Sequence, residues 1–221
     1  MKEGVPQGSQ REYLPAAGHD WLLPLYDSIT TLLGLDRARE ELLQQADLKA
    51  GQSVIDIGCG TGSLVITLKQ RYPEIEVVGL DPDPKALTRA RRKAHQAGVQ
   101  PEFDQGFSNR LRYPAQSFDH VFSSFMFHHL KDQEKQATLL EVHRVLKPHG
   151  CFNLLDFIGS ESADLRLLPR LFHQHVKDNT ETRILSLAAN SGFKQMKIVR
   201  RRPAMLGLSR IAYYQTSVQD A

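Results

Sequence analysis

The chain has 221 residues, of which 41% are hydrophobic and 24% are charged, and its net charge is +3. This length fits one globular domain with modest additions, and the weak positive charge neither requires nor excludes a nucleic-acid partner. The only two cysteines, Cys59 and Cys151, exclude a disulfide framework and a cysteine-rich metal site.

The N-terminal region combines a polar stretch with helical patterns. Residues 1–18 are rich in Gly, Pro, Gln and Ser, which is typical of a flexible arm. From Asp20 to Leu48, apolar residues recur at helical spacing and predict two helices. The first residues lack an apolar signal-peptide core, and no run approaches the roughly 18 apolar residues that span a bilayer. We therefore expect a cytoplasmic protein without a membrane span.

Strands and helices alternate from Ser53 onward, which predicts a parallel sheet covered by helices on both faces. The last two predicted strands follow each other without a long helix, and they predict one antiparallel pair at the edge of the sheet. The predicted strands are 53–57, 75–80, 102–103, 118–124, 151–155, 194–200 and 210–216, and the predicted helices are 62–71, 84–97, 132–146 and 180–189.

The most informative pattern is V-I-D-I-G-C-G-T-G-S-L, which begins at Val54. An apolar run ends around Asp56, and Gly58, Gly60 and Gly62 then alternate before a helix begins. A glycine loop between a strand and a helix lets a nucleotide-like ligand lie against the backbone. The spacing differs from the G-x-G-x-x-G fingerprint of dinucleotide sites. A carboxylate at this place repels a pyrophosphate and suits a cationic ligand.

This pattern resembles the D-x-G-x-G-x-G motif of the class I S-adenosylmethionine-dependent methyltransferases, whose cofactor carries an ammonium and a sulfonium group. The resemblance implies a Rossmann-like α/β fold, a doubly wound sheet of seven mostly parallel strands with an antiparallel last strand. It implies an N-terminal arm and lid helices over residues 1–48 and a methyltransferase domain over residues 49–221. It also implies S-adenosylmethionine as cofactor and S-adenosylhomocysteine as product, and no metal is predicted.

A second acid, Asp81, ends the second predicted strand about 20 residues after Gly58, where a carboxylate can accept both ribose hydroxyls of a nucleoside. In the resembling family the acid at this position holds the ribose and the next residue packs on the adenine. These roles fall to Asp81 and Pro82. Asp83 is the better candidate for capping the next helix, because Pro84 occupies a plausible first helical position.

The segment after the third predicted strand departs from the family pattern. Many members carry a Gly-Asp pair there, and the aspartate accepts a hydrogen bond from the adenine amino group. Here Phe107 follows Gly106. The resemblance therefore assigns the adenine to stacking and backbone contacts at Phe107 and Ser108, with Asp104 as the nearest replacement acid.

The motif S-S-F-M-F-H-H-L begins at Ser123, at the carboxyl end of the fourth predicted strand, where open α/β sheets place their ligands. It is similar to the segment in the branch that includes the ubiquinone and menaquinone C-methyltransferases. The likeness places Ser123 near the cofactor and makes His128 and His129 candidates for a general base. Adjacent histidines are not expected to face one pocket together, and proximity to the strand end favours His128. A capping or packing role for either one stays open.

N-terminal helices of the family cover the cofactor and help to form the substrate pocket. This makes Tyr26 a candidate for cofactor contact and catalysis, with His19 and Asp20 as further candidates for a base. The alternative is that Tyr26 only packs on the core face of its helix.

Methyl transfer needs an aligned nucleophile and exclusion of water, and a base helps when the nucleophile is a phenol or a ring carbon. We expect methylation of a small, apolar or aromatic molecule, at carbon or oxygen, by a monomer or homodimer. Two alternatives stay open: an RNA or tRNA methyltransferase, suggested by basic runs at 89–93 and 197–202, and a non-catalytic S-adenosylmethionine-binding scaffold. Nucleic acid is the less expected partner, because these charges fall on an exposed helix and an edge strand.

Overall fold

A computed structural model of the protein describes residues 34–159, 176–204 and 209–218. The candidates Tyr26, His19 and Asp20 lie outside the described residues. Among the helices of these three ranges, none combines the length and the apolar character needed to cross a bilayer.

The elements follow the predicted alternation. The helices are α1 (Leu35–Gln44), α2 (Ser63–Arg71), α3 (Pro84–Gln96), α4 (Asp132–Val145) and α5 (Glu181–Asn190). The strands are β1 (Ser53–Ile57), β2 (Glu76–Asp81), β3 (Glu102–Gln105), β4 (Phe118–Ser124), β5 (Leu146–Ile158), β6 (Lys197–Ala204) and β7 (Ser209–Ser217), and a short 3-10 helix, Phe127–His129, follows β4.

The strands form one seven-stranded sheet in the order β3-β2-β1-β4-β5-β7-β6. Six strands run in one direction and β7 runs antiparallel to β5 and β6, which confirms the predicted doubly wound fold with an antiparallel last strand. The predicted antiparallel pair of β6 and β7 forms at the edge of the sheet, with β6 outermost and β7 between β5 and β6. Burial explains this order: Ile211, Ala212, Tyr213 and Tyr214 of β7 are buried, whereas most residues of β6 are exposed or half-buried. A charged strand suits the edge of a sheet.

Two apolar cores flank the sheet, one beneath α1, α2 and α3 and the other beneath α4 and α5. Successive side chains of β1 alternate between them: Val54 joins the first core, and Ile55 and Ile57 join the second. The same alternation directs Asp56 toward the face of α1, α2 and α3. An ionisable side chain thus lies where an apolar one is expected.

Helix α1 packs into the first of these two cores, on one face of the sheet. Leu42 and Leu43 are buried in the first core, and Glu41 accepts a hydrogen bond from Tyr213 Oη at 3.2 Å. Arg202 of β6 forms an ion pair with the same Glu41 carboxylate. The division of the chain at residue 48 stays a prediction.

Candidate active site

The site lies where the strand order reverses. Strand β1 has β2 on one side and β4 on the other, and Asp56 pairs in register with Gly79 and with Phe122. In open α/β sheets, ligands bind outside the carboxyl ends of the strands at such a reversal. The glycine loop, the end of β2 and the segment after β4 meet there, as the sequence predicts.

The glycine loop is tied to the end of β2. The backbone N–H groups of Gly58 and Cys59 donate to Leu80 O at 2.7 and 3.0 Å. The N–H of Gly60 donates to Asp81 Oδ2 at 2.8 Å. These hydrogen bonds fix the loop before any ligand arrives, so little ordering is left for binding to impose.

The three glycines of the loop have positive φ, and they have different neighbours. A Cβ at Gly58 would lie 2.8 Å from Met126 Cβ, and one at Gly62 would lie 2.9 Å from Ala90 Cβ. A Cβ at Gly60 would meet no atom of the described residues within 4 Å. Gly58 and Gly62 are therefore needed for packing, whereas Gly60 borders open space in which a ligand can approach the backbone.

Replacing Gly60 with alanine is expected to weaken S-adenosylmethionine binding by about 30-fold. The added methyl group occupies the space beside the loop, and such overpacking costs about 2 kcal/mol. Gly98 provides a matched control, because it has φ +69 and a Cβ there would also have no neighbour within 4 Å in the described part of the chain. Both alanine variants should lose about 1 kcal/mol of unfolding free energy through the left-handed backbone. Calorimetry should find weakened binding in Gly60→Ala alone, and equal affinities would place the ligand elsewhere.

Asp56 is a buried carboxyl group with unused hydrogen-bonding capacity. Its residue is 1% exposed, and neither carboxylate oxygen has a hydrogen-bond partner among the described residues. Burial raises its pKa to about 8, nearby Asp81 adds to the rise, and the positive charge of Arg39 opposes it. An unpaired buried acid is costly, and a cationic ligand group beside it relieves that cost.

Arg39 is a site residue that the sequence analysis did not find. It lies on α1, its guanidinium carbon is 5.4 Å from the centre of the Phe125 ring, and it pairs with Asp36 at 2.8 Å. Its charge also acts on Asp56. The sequence does not mark it, because its place depends on how α1 packs above the end of β4.

The affinity for S-adenosylmethionine is expected to rise with pH between about 6 and 7.5, below the range in which an α-amino group titrates. Because the pKa of Asp56 is about 8, most of the free protein holds this carboxyl protonated at neutral pH. A cationic amino group favours the ionised form, so binding releases a proton and the dissociation constant falls as pH rises. Calorimetry in two buffers of different ionisation enthalpy measures that proton. Asp56→Asn should abolish its release, and a pH-independent affinity in the wild type would contradict the expectation.

The Asp81 carboxylate, at the end of β2, contacts the glycine loop. Its Oδ2 accepts from Gly60 and its Oδ1 accepts from the N–H of Asp83 at 2.9 Å. Burial is the largest influence on its pKa and raises it, while the two backbone donors lower it. As predicted, Asp83 caps α3, because its Oδ1 accepts from the N–H of Lys85 at 2.8 Å. The next residue after Asp81, Pro82, is half-buried.

The segment after β3 holds the predicted adenine contacts. Phe107 is 39% exposed, so its ring face is available for stacking. Ser108 Oγ lies 2.9 Å from Thr138 Oγ1 of α4, and Asp104 Oδ2 accepts from Tyr113 Oη at 2.7 Å. The Asp104 carboxylate is therefore already engaged in a hydrogen bond with Tyr113. The adenine roles of Phe107 and Ser108 stay predictions.

The chain reverses sharply after β4. Phe125 has φ +57, a left-handed conformation that is unusual for a bulky residue. Its N–H donates to Leu155 O at 2.9 Å, and its ring packs 4.9 Å from that of Phe157. The reversal puts Met126 against Gly58. Strained non-glycine backbone of this kind is found at functional sites, where the surrounding contacts hold it.

The two histidines after this reversal differ in their anchoring. His128 is 3% exposed, and its Nδ1 lies 2.6 Å from Asp156 Oδ1. Its backbone N–H donates to Asp156 Oδ2 at 2.7 Å. The ring of His129 lies 4.0 Å from the ring of His128, so the two side chains are closer than we expected for adjacent residues. Asp156 was missed, although an acid near the carboxyl end of an apolar strand repeats the pattern of Asp81.

Ser123, the other candidate of this segment, is fully buried, and its Oγ has no hydrogen-bond partner among the residues described. Within the same ranges, no group of three or more His, Cys, Asp or Glu side chains is placed to hold a metal ion.

Several charges of the two basic runs are engaged within the protein. Arg91 donates to Phe103 O at 2.6 Å, and Lys93 donates to Ser63 Oγ at 2.9 Å. In β6, Arg201 pairs with Glu181 at 2.7 Å. These side chains have structural partners, which weakens the case for a phosphate-binding surface.

Comparison with known proteins agrees with this geometry. Residues 54–150 match the family described as a methyltransferase domain. The chain is 37% identical over 158 residues to a demethylmenaquinone methyltransferase of Thermus thermophilus, which covers 70% of this chain and 71% of that protein. The chain belongs to the class I S-adenosylmethionine-dependent methyltransferases. The family resemblance that the glycine motif indicated is therefore confirmed.

Two further similarities place this methyltransferase in its family. A demethylmenaquinone methyltransferase of Deinococcus radiodurans is 37% identical over 158 residues, which span 70% of this chain and just under two thirds, 65%, of that protein. A structure of Haemonchus contortus phosphoethanolamine N-methyltransferase 2 in complex with S-adenosyl-L-methionine has a TM-score of 0.75 and 17% identity, and covers 93% of this chain and 58% of that one. The second similarity confirms the fold.

The site of this methyltransferase fits S-adenosylmethionine. The buried Asp56 carboxylate, which has no described hydrogen-bond partner, suits the ammonium group. The open side of Gly60 admits a ligand to the backbone, and the Asp81 carboxylate stands at the loop.

Proposed function

We propose that this methyltransferase transfers a methyl group to the ring of a small hydroxylated aromatic molecule of the quinol type, with His128 as general base. The observation that carries the proposal is the buried His128, held by Asp156 beside aromatic rings at the carboxyl end of β4. The Phe157 ring stands edge-on to His128 at 5.3 Å, and Phe125 packs on Phe157. This surrounding suits an aromatic acceptor more than a charged one.

S-adenosylmethionine supplies an electrophilic methyl group when bound. We assign its ammonium group to Asp56 and its carboxylate to Arg39, whose positive charge acts on Asp56. The Asp81 carboxylate accepts hydrogen bonds from the ribose hydroxyls, and the loop backbone at Gly60 lies against the ligand. The remaining predicted cofactor contacts are Gly58, Gly62, Pro82, Phe107, Ser108, Ser123 and Tyr26.

The role of the base follows from the balance of the reaction. The bond from the acceptor to the methyl carbon forms while the sulfur–carbon bond breaks, and the acceptor loses one proton. A quinol hydroxyl that gives its proton to His128 becomes a phenolate, which enriches the neighbouring ring carbon in electrons so that this carbon forms the bond to the methyl group. The same ring carbon then loses its hydrogen as a proton, which restores the aromatic ring, and the oxygen regains the proton held by His128. Proton removal by a positioned base contributes about 10²–10⁴ in rate.

The names of the two relatives support a quinone-type acceptor, because both are demethylmenaquinone methyltransferases. Methylation at oxygen of the same hydroxylated ring needs the same base, so it is a second outcome of the same site. The cytoplasmic location and the choice between monomer and homodimer stay predictions.

The test is a methyl-transfer assay with radiolabelled S-adenosylmethionine. A dihydroxynaphthalene and reduced demethylmenaquinone in detergent are offered as acceptors, with phosphoethanolamine and bulk tRNA in parallel reactions. We expect label in the aromatic product, with the methylated atom identified by mass spectrometry and NMR. Cofactor binding without transfer to any acceptor would favour the scaffold alternative, and label in tRNA would favour the RNA alternative.

A further inference from the structure

Asp156 is a fully buried acid on β5, on the sheet face of α4 and α5, and cofactor binding does not explain it. Its oxygens accept two backbone N–H groups, that of His128 at 2.7 Å and that of Phe157 at 2.7 Å, and its Oδ1 lies 2.6 Å from the imidazole Nδ1 of His128. An ionised carboxylate, the usual form of an aspartate at neutral pH, only accepts hydrogen bonds.

Two of these hydrogen bonds hold the same residue at two points. One fixes the main chain of His128 and the other fixes its ring, so the imidazole cannot rotate without breaking its bond to Asp156. Because the carboxylate has no proton to donate, Nδ1 carries the hydrogen. The lone pair of the neutral ring is then on Nε2, at the far side of the ring from Asp156. That is the nitrogen able to take a proton from a substrate.

A second set of buried polar groups braces the end of β5. Asn179 Nδ2 donates to Phe157 O at 2.6 Å, and Asn179 O accepts from the N–H of Gly159 at 3.1 Å. Lys135 Nζ of α4 donates to Asn179 Oδ1 at 2.8 Å. A Cβ on Gly159 would lie 2.5 Å from Val176 O, so this crossing tolerates only glycine. The end of β5, which carries Asp156, is therefore held by the hydrogen bonds of Asn179 to Phe157 and to Gly159.

Lys135 is only 2% exposed, which is rare for a lysine. Burial lowers its pKa, and the negative charge of Asp156 is the largest opposing influence. The lysine thus supplies a positive charge near Asp156 without occupying the oxygens that hold His128.

We propose that Asp156, braced by Asn179 and Lys135, is a positioning residue that holds His128 in the tautomer with its basic nitrogen at Nε2. The inference rests on the proposed function, because it concerns the base of that reaction. The charged and titratable groups that face His128 include Asp156 from β5 and His129 from its own segment, and Lys135 of α4 acts through Asp156.

The experiment compares wild type with Asp156→Asn, with Asp119→Asn as a matched control. Asp119 also accepts a backbone N–H, from Ser53 at 2.8 Å, but it lies at the opposite end of β4. We expect Asp156→Asn to lower kcat about 100-fold with the dihydroxynaphthalene acceptor, to change KM less than threefold and to leave S-adenosylmethionine affinity unchanged. Asp119→Asn should leave all three quantities unchanged.

Nitrogen NMR of histidine-labelled protein gives a readout that does not need turnover. The wild type should show His128 protonated at Nδ1, and Asp156→Asn should lose that preference, because an amide donates as well as accepts. Protonation of His128 at Nε2 rather than at Nδ1 in the wild type would overturn the inference, even if Asp156→Asn failed to fold. Activity lost in His128→Gln but kept in Asp156→Asn would overturn it and leave the proposed function intact. Absence of transfer by wild type to any quinol would overturn the proposed function, while the NMR result would still test Asp156.

Discussion

Replacing Asp81 with alanine is expected to weaken S-adenosylmethionine binding by about 100-fold or more. The substitution removes a carboxylate proposed to accept two ribose hydroxyls, and each hydrogen bond to a charged group is worth about 1.5–3 kcal/mol. It also removes the acceptor of the N–H of Gly60, so the loop loses the contact that holds it against β2. Affinity is measured by calorimetry with S-adenosylmethionine and S-adenosylhomocysteine.

Two companion variants separate the ribose contact from loop support. Asp81→Asn keeps a neutral acceptor for Gly60, so its loss of affinity should be smaller than that of alanine. Asp119→Ala removes a carboxylate that also accepts a backbone N–H, but at the other end of the sheet, and it should bind normally. Wild-type affinity in Asp81→Ala would mean that the ribose lies elsewhere.

Replacing His128 with glutamine is expected to lower kcat by about 10²–10⁴-fold with a quinol acceptor, while S-adenosylmethionine affinity is kept. Glutamine retains a polar side chain that can reach Asp156, but it has no basic nitrogen near neutral pH. The loss should therefore appear in the chemical step. Single-turnover measurements with labelled cofactor separate that step from binding and product release.

His129→Gln is the matched control, because both histidines lie in one sequence motif and the structure gives His128 the contacts with Asp156. Asp156 fixes both the main chain and the ring of His128. We expect the loss of kcat in His129→Gln to be at least tenfold smaller than in His128→Gln. The reverse order would assign the base to His129 and leave the Asp156 contact with a role in folding.

Much of the fold was predictable, because its signals are local. Strand β4 was predicted with its observed bounds, and β1 as well, since apolar runs between turn residues mark buried strands. Strand β5 was predicted too short, at 151–155 rather than Leu146–Ile158. Its first residues, L-K-P-H-G, read as a turn, and Leu146 joins the strand through its pairing with Phe118 of β4.

The cofactor half of the site was predictable for a similar reason. Asp56, Gly58, Gly60, Gly62 and Asp81 follow strand ends at short fixed spacings, so their order in the chain implies their place in space. Arg39 and Asp156 were not predictable in this way. Each lies far along the chain from its partner and meets it only through packing.

By itself, the sequence determined the alternation of strands and helices, the side-chain-free loop, the two acids beside it and the methyltransferase family. These depend on residue types at short range, where backbone geometry leaves few choices. The tertiary structure alone decided that β7 enters the sheet between β5 and β6, that Asp56 is buried with a raised pKa, and that His128 is held by Asp156. Burial and long-range contacts arise only when distant segments pack together, so no local pattern can encode them.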